Sequence, residues 1–230
     1  MPDQISWVAI AYFTFITLAS LVNWAAAWQG RMLLYYISKP LVIIFLIGLF
    51  LWQTPLTTSQ LPFLLGLIFS LIGDVFLIPR STRWFIAGMG AFSIAQLCYI
   101  FGFNLSRPSP AVIILALFAF LAGFFILYLA IDHFAETSDV KRSLLPFFKG
   151  YSTLVLAMMI SALISIARPG WSDSAAVMAG TGGILFFVSD AMIGMDKLNR
   201  RLPKYKFWII FSYHLAQFMI VAAVLQLSHL

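Results

Sequence analysis

Apolar runs of about 20 residues alternate with short polar breaks along most of this chain. Cutting at charges, prolines and polar clusters leaves eight runs, at about 5–28, 33–53, 61–79, 84–103, 110–131, 145–167, 175–194 and 206–228. A helix needs about 20 mostly apolar residues to cross the hydrocarbon of a bilayer. The pattern therefore predicts an all-α polytopic membrane protein, a bundle of eight transmembrane helices. The seventh run is the most diluted, by Thr181, Gly182 and Gly183. Short connectors such as QGR at 29–31 and RSTR at 80–83 make neighbouring helices antiparallel. A membrane β-barrel would need alternating segments of about 10 residues, and the chain lacks them.

Composition supports the same class. Hydrophobic residues make up 62% of the 230, charged residues 10%, and the mean hydropathy is +0.98. A soluble domain carries about 25% charged residues. No polar stretch is long enough to build a second domain, so residues 1–230 are read as a single integral membrane domain. The N-terminal run lacks a basic leader, carries Asp3, and exceeds a signal-peptide core of roughly 7–15 residues. It is read as a retained first span.

The placement of charge matters more than the net +6. Arg31, Arg80, Arg83, Lys141, Arg142, Lys197, Arg200, Arg201, Lys204 and Lys206 follow odd-numbered runs. Lys39 and Lys149 lie just inside even-numbered runs on that same side, and only Arg107 and Arg168 fall on the other. This asymmetry makes the basic side cytoplasmic. With eight spans, both termini are then non-cytoplasmic. Topology and attraction to anionic lipid heads account for most of these charges. Nucleic acid is not an expected partner, because no basic patch with interleaved aromatics occurs on a polar surface. Cys98 lies within an apolar run and suits packing.

Topology does not explain the acids. Asp74, in GLIFSLIGDVFLIPR, and Asp190, in GGILFFVSDAMIG, each interrupt the C-terminal part of an odd-numbered run. Lys39 and Lys149 approach the same face from even-numbered runs. The halves echo one another: Gly66 and Gly182 each stand eight residues before their Asp, and each Lys precedes its Asp by 35 or 41 residues. Two parallel four-helix repeats would produce this pattern. An Asp at the centre of a spanning helix costs roughly 2.5–3.5 kcal/mol on insertion scales, so such residues face the bundle interior or a water-filled cavity and pair there. A purely structural pairing with Lys competes with a functional role for each. Tyr99, Tyr151, Tyr213, Gln96 and Gln217 suit interhelical hydrogen bonding, and the glycines suit close helix approach.

Several chemistries are excluded. His133, His214 and His229 lack metal-site spacing, no Gly-rich loop has a Walker or dinucleotide pattern, and no Ser stands in a G-x-S-x-G elbow.

SKP at 38–40, SLIGD at 70–74, SD at 189–190 and YHLAQ at 213–217 together resemble the YhhN-type lysoplasmalogenase family, multi-pass membrane hydrolases. The resemblance runs from about the second span to the end. It implies Lys39, Asp74, Tyr99, Asp190, Tyr213 and Gln217 as the functional positions, with Lys149 as a further substrate-binding position suggested by its depth. One departure is visible: Gln96 stands where the family pattern places a His, three residues before the Tyr. That moves weight from a His-based mechanism to the two aspartates.

The implied activity is hydrolysis of the vinyl ether bond of a lysoplasmalogen, giving a fatty aldehyde and glycerophosphocholine or glycerophosphoethanolamine. Protonation at the β-carbon gives an oxocarbenium ion that water attacks. The demands match glycoside hydrolysis: a proton donor, and a carboxylate that stabilises the cation and activates water. One of Asp74 and Asp190 would be the acid and the other the base, an assignment the sequence leaves open. Lys39 would hold an aspartate or meet the lipid phosphate; Tyr99, Tyr213 and Gln217 would orient water or the glycerol. No cofactor is required. The expected partners are the lysophospholipid, water and membrane lipids, and the expected location is the bacterial inner membrane, with the site towards the cytoplasmic side. A transporter or lipid-translocating protein also places Asp and Lys within the membrane, and a non-catalytic lipid-binding protein is a third reading.

Overall fold

The computed structural model describes residues 7–53, 56–79, 81–136, 142–198 and 202–227. Arg80, Lys141, Arg200 and Arg201, used in the charge argument, lie outside them, as do Asp3 and His229. Eight α-helices of at least 16 residues account for the described chain: α1 (Trp7–Gln29), α2 (Met32–Gln53), α3 (Leu61–Phe76), α4 (Thr82–Phe103), α5 (Pro110–Glu136), α6 (Leu145–Leu163), α7 (Asp173–Lys197) and α8 (Tyr205–Leu227). Short 3-10 turns precede α6 and follow it, and no strand occurs among the described residues. Seven of these helices are long and apolar enough to cross a membrane, which makes this a multi-pass membrane protein.

The helix ends have local causes. Gly30, at φ +73°, closes α1, and the Arg31 amide donates back to the Ala26 carbonyl at 2.9 Å. A left-handed glycine followed by this longer return bond satisfies carbonyls that the helix end would leave free. Ser81 and Ser172 cap α4 and α7, each accepting from the backbone three residues on. Pro62 and Pro146 sit in the first turns of α3 and α6, where a missing N–H costs nothing.

Four helix ends depart from expectation by three residues or more: α6 gives way at Leu163 to a 3-10 turn through Ala167, α7 runs past 194 to Lys197, and α3 and α5 differ as well. The third run was expected to extend to 79, but α3 stops at Phe76. Pro79 disfavours the helical conformation at the residue before it, although Leu77 and Ile78 remain apolar. The fifth run was expected to end at 131, but α5 continues to Glu136 and carries Asp132 with it.

Around the bundle the neighbour order is α1, α2, α3, α4, α6, α7, α8, with α8 closing on α1 and reaching across to α2 and α3. The α5 helix packs on the outside of α6. Most of its residues are exposed and only Ile131 is buried, as suits a lipid-facing helix. The halves correspond in part: α2 with α3 matches α6 with α7, and α8 against α2 matches α4 against α6. The correspondence ends at α5, which has no equivalent of the α1–α8 contact.

Glycines set the tightest contacts, as the sequence suggests. A Cβ at Gly66 would run into the Tyr99 ring, and one at Gly182 would lie 3.0 Å from the Ala216 carbonyl oxygen of α8. At the end away from the basic loops, the buried Arg168 guanidinium donates to the Ser106 carbonyl and to the Asn104 side chain.

Candidate active site

Lys39 and Asp74 meet near the basic end of the bundle. The Lys39 Nζ lies 2.8 Å from Asp74 Oδ1, with Asp74 fully buried and Lys39 only 8% exposed. The eighth residue of α2 thereby faces the third-last residue of α3. Pro40 follows Lys39 inside α2 and cannot donate to the Tyr36 carbonyl. The turn is held from α1 instead: Asn23 Nδ2 donates to the Tyr35 carbonyl at 2.7 Å and to Ser38 Oγ at 2.8 Å. These contacts fix the backbone from which Lys39 projects.

From Asp74 a polar thread runs inward. The Tyr213 hydroxyl donates to Asp74 Oδ2 at 3.0 Å, and the Tyr99 hydroxyl donates to Gln217 Oε1 at 2.7 Å. Tyr213 and Gln217 are one turn apart on α8 and share a face. Phe92 and Phe186 hold the Tyr213 ring edge-on, with centroids at 6.0 and 5.6 Å, while the Lys39 ammonium stands 5.8 Å from its centroid. Five of the seven expected site residues, Lys39, Asp74, Tyr99, Tyr213 and Gln217, are thus joined in one buried set.

Asp190 stands apart. Its Oδ2 accepts a 2.6 Å hydrogen bond from the Tyr151 hydroxyl of α6, and the charges of Lys39 and Asp74 act on it. Gln96 lies beside Tyr151, completely buried, with neither amide atom in a well-formed hydrogen bond.

Lys149 joins neither group. It bonds Asp132 of α5 at 2.6 Å and stands 4.9 Å from the centroid of the Tyr128 ring. Of the seven expected site residues, it is the one that faces α5. Lys149 and Tyr151 are two residues apart and leave α6 in different directions, so the tyrosine reaches the bundle interior while the lysine turns to α5. Spacing alone offered the clue, since Tyr151 precedes Asp190 by 39 residues, close to the 35 between Lys39 and Asp74.

A cavity of about 520 Å³ opens at the basic end, within the usual range of about 300–1,000 Å³ for small-molecule sites. Lys39 and Asp74 lie on its wall, together with Tyr35, Phe148, Lys197 and Lys206. Tyr99, Tyr213, Gln217 and Asp190 stand behind that wall. Among the described residues no three His, Cys, Asp or Glu side chains gather to hold a metal ion.

The helices and this site define a multi-pass membrane protein with a buried ion pair at the wall of a cavity, backed by tyrosines. The chain belongs to the YhhN family, whose sequence profile matches residues 34–224. It is 27% identical over 232 residues to the human lysoplasmalogenase TMEM86B, covering 98% of this chain and 89% of that protein. It is 28% identical over 163 residues to bovine lysoplasmalogenase TMEM86A, covering 70% of this chain and 64% of that protein. A lysoplasmalogenase homolog of Dictyostelium discoideum is 25% identical over 236 residues, covering 86% and 76% of the two chains. No solved structure matches significantly.

Proposed function

We propose that this protein is a lysoplasmalogenase, an ether hydrolase that adds water across the vinyl ether of a lysoplasmalogen. The observation that carries the reading is the Lys39–Asp74–Tyr213 set on and just behind the wall of an open cavity. Relatives named lysoplasmalogenase support it.

In this scheme the head and ether bond occupy the cavity and the hydrocarbon tail lies among apolar helices. A proton adds to the β-carbon of the O–CH=CH unit, leaving an oxocarbenium ion at the carbon bonded to oxygen. Asp74, held by Lys39, is the carboxylate that stabilises this cation and takes a proton from the attacking water. The resulting hemiacetal breaks its C–O bond to the glycerol, giving the fatty aldehyde and a glycerophospho-base with a free hydroxyl. We assign supply of the first proton to Asp190, whose partner is the Tyr151 hydroxyl rather than a cation. Tyr213, Gln217 and Tyr99 hold the inner face of the site, and no step calls for a cofactor. The orientation proposed with it has eight spans, the cavity on the cytoplasmic side of a bacterial inner membrane, and both termini on the other side.

The test is aldehyde release from a lysoplasmalogen by purified protein in detergent. The wild-type chain should release aldehyde, while Asp74→Asn and Asp190→Asn should each lose at least about 100-fold in kcat. A transporter or a lipid-binding protein would release none, and full activity in either variant would sink the two-acid scheme.

A further inference from the structure

The cavity wall carries two lysines that the hydrolytic scheme does not use. Lys197 ends α7 and Lys206 is the second residue of α8, and both line the cavity that holds Lys39 and Asp74. Neither has a carboxylate partner among the described residues. The Lys197 ammonium stands 4.3 Å from the centroid of the Phe85 ring, and that of Lys206 lies 3.0 Å from the Met32 sulfur. Lys39 is already neutralised by Asp74. Asp196 also lines the wall but is engaged in an interaction of its own. The outer part of the cavity therefore offers two ammonium groups resting on neutral partners, in front of a floor whose charges are matched.

We infer that Lys197 and Lys206 form a phosphate subsite, which receives the phosphodiester of a lysophospholipid while its ether bond reaches Asp74. The inference rests on the proposed activity for the identity of the lipid. The chemistry fits the order of groups in such a molecule, where phosphate is separated from the ether oxygen by three glycerol carbons and an ester oxygen. A phosphate between two ammonium groups gains charge-assisted hydrogen bonds, which are stronger than neutral ones. Because phosphate is unchanged in the reaction, the contact acts on binding and leaves the barrier of the chemical step alone. Positive-inside topology also places lysines on this side, but it does not require that they line a cavity.

The test compares wild-type protein, a Lys197→Gln/Lys206→Gln variant and an Arg83→Gln control in uncharged detergent free of anionic lipid. Arg83 is exposed on the same side and does not line the cavity. Each is assayed with an alkenyl glycerophosphoethanolamine and with the phosphate-free alkenyl glycerol. The double variant should raise KM for the phospholipid about tenfold or more, change kcat far less, and leave the alkenyl glycerol unaffected. Arg83→Gln should change neither. Equal effects on both substrates, or the same shift in Arg83→Gln, would overturn the subsite.

A second arm does not depend on turnover. Glycerophosphoethanolamine should raise the melting temperature of the wild-type protein and not that of the double variant, whose unliganded melting temperature is otherwise unchanged. Inorganic phosphate alone should be the weaker ligand of the wild-type protein. Equal stabilisation of both proteins by glycerophosphoethanolamine overturns the subsite even if no aldehyde ever appears. Absence of aldehyde with the thermal shift intact overturns the activity and leaves the subsite standing.

Discussion

The Lys39–Asp74 pair makes a quantitative prediction about stability and activity together. Breaking a buried ion pair by removing one partner typically costs about 3–5 kcal/mol, because the other charge is left without compensation. The two halves of this pair should not cost the same. In Asp74→Asn the stranded ammonium sits on a long flexible stem at the cavity wall, where water can reach it, so the loss should fall near or below about 3 kcal/mol. In Lys39→Met the stranded carboxylate is on a short side chain with no exposed surface and keeps only the Tyr213 hydroxyl, so the loss should approach about 5 kcal/mol. Removing both charges in Lys39→Met/Asp74→Asn should recover most of it, leaving a loss below that of Asp74→Asn alone, so the coupling in the double-mutant cycle should exceed about 5 kcal/mol. The measurement is unfolding of the purified protein in mixed micelles, followed by tryptophan fluorescence, beside aldehyde release. All three variants should be inactive, while the double variant is the more stable of the inactive proteins. Additive losses would refute the pairing, a costlier Asp74→Asn would refute the argument from access, and a stable, active double variant would remove the chemistry from Asp74.

Two other substitutions probe packing and reach. Gly66→Ala drives a methyl into the Tyr99 ring, which is held by its bond to Gln217, and should cost about 1–3 kcal/mol of stability with a smaller fall in activity; an unchanged melting temperature would show that the ring moves freely. Lys149→Gln should leave aldehyde release unchanged and cost at most about 1 kcal/mol, since Lys149 is tied to a half-exposed Asp132; a tenfold loss of activity would return Lys149 to the site.

The helices were legible where the solvent of the chain was the deciding influence. Hydropathy located all eight runs, because lipid-facing and core residues are both apolar. It misplaced the end of α3, where Leu77 and Ile78 read as membrane while Pro79 ends the helix, and the end of α5, where Asp132 and Glu136 read as water but still suit a helix. Asp74 and Lys39 stood out because a charge in an apolar run needs a partner. The bond from Tyr213 to Asp74 joins residues 139 positions apart, and no local pattern announces it. Lys149 was grouped with Lys39 by its depth, because charge is conspicuous in a sequence and helix facing is not. Tyr151, two positions on, had passed as one more polar residue between helices.

In the proposed eight-span orientation, the shortness of α3 would affect the lipid around it. Sixteen residues rise about 24 Å, against a hydrocarbon layer of about 30 Å. A helix too short for its bilayer is accommodated by local thinning, which draws the headgroup layer inward. Asp74 is the third-last residue of that helix. In the proposed scheme such a dip would bring the glycerol level of the leaflet down to the carboxylate, where a lysolipid would present its ether bond while its tail stays in the membrane.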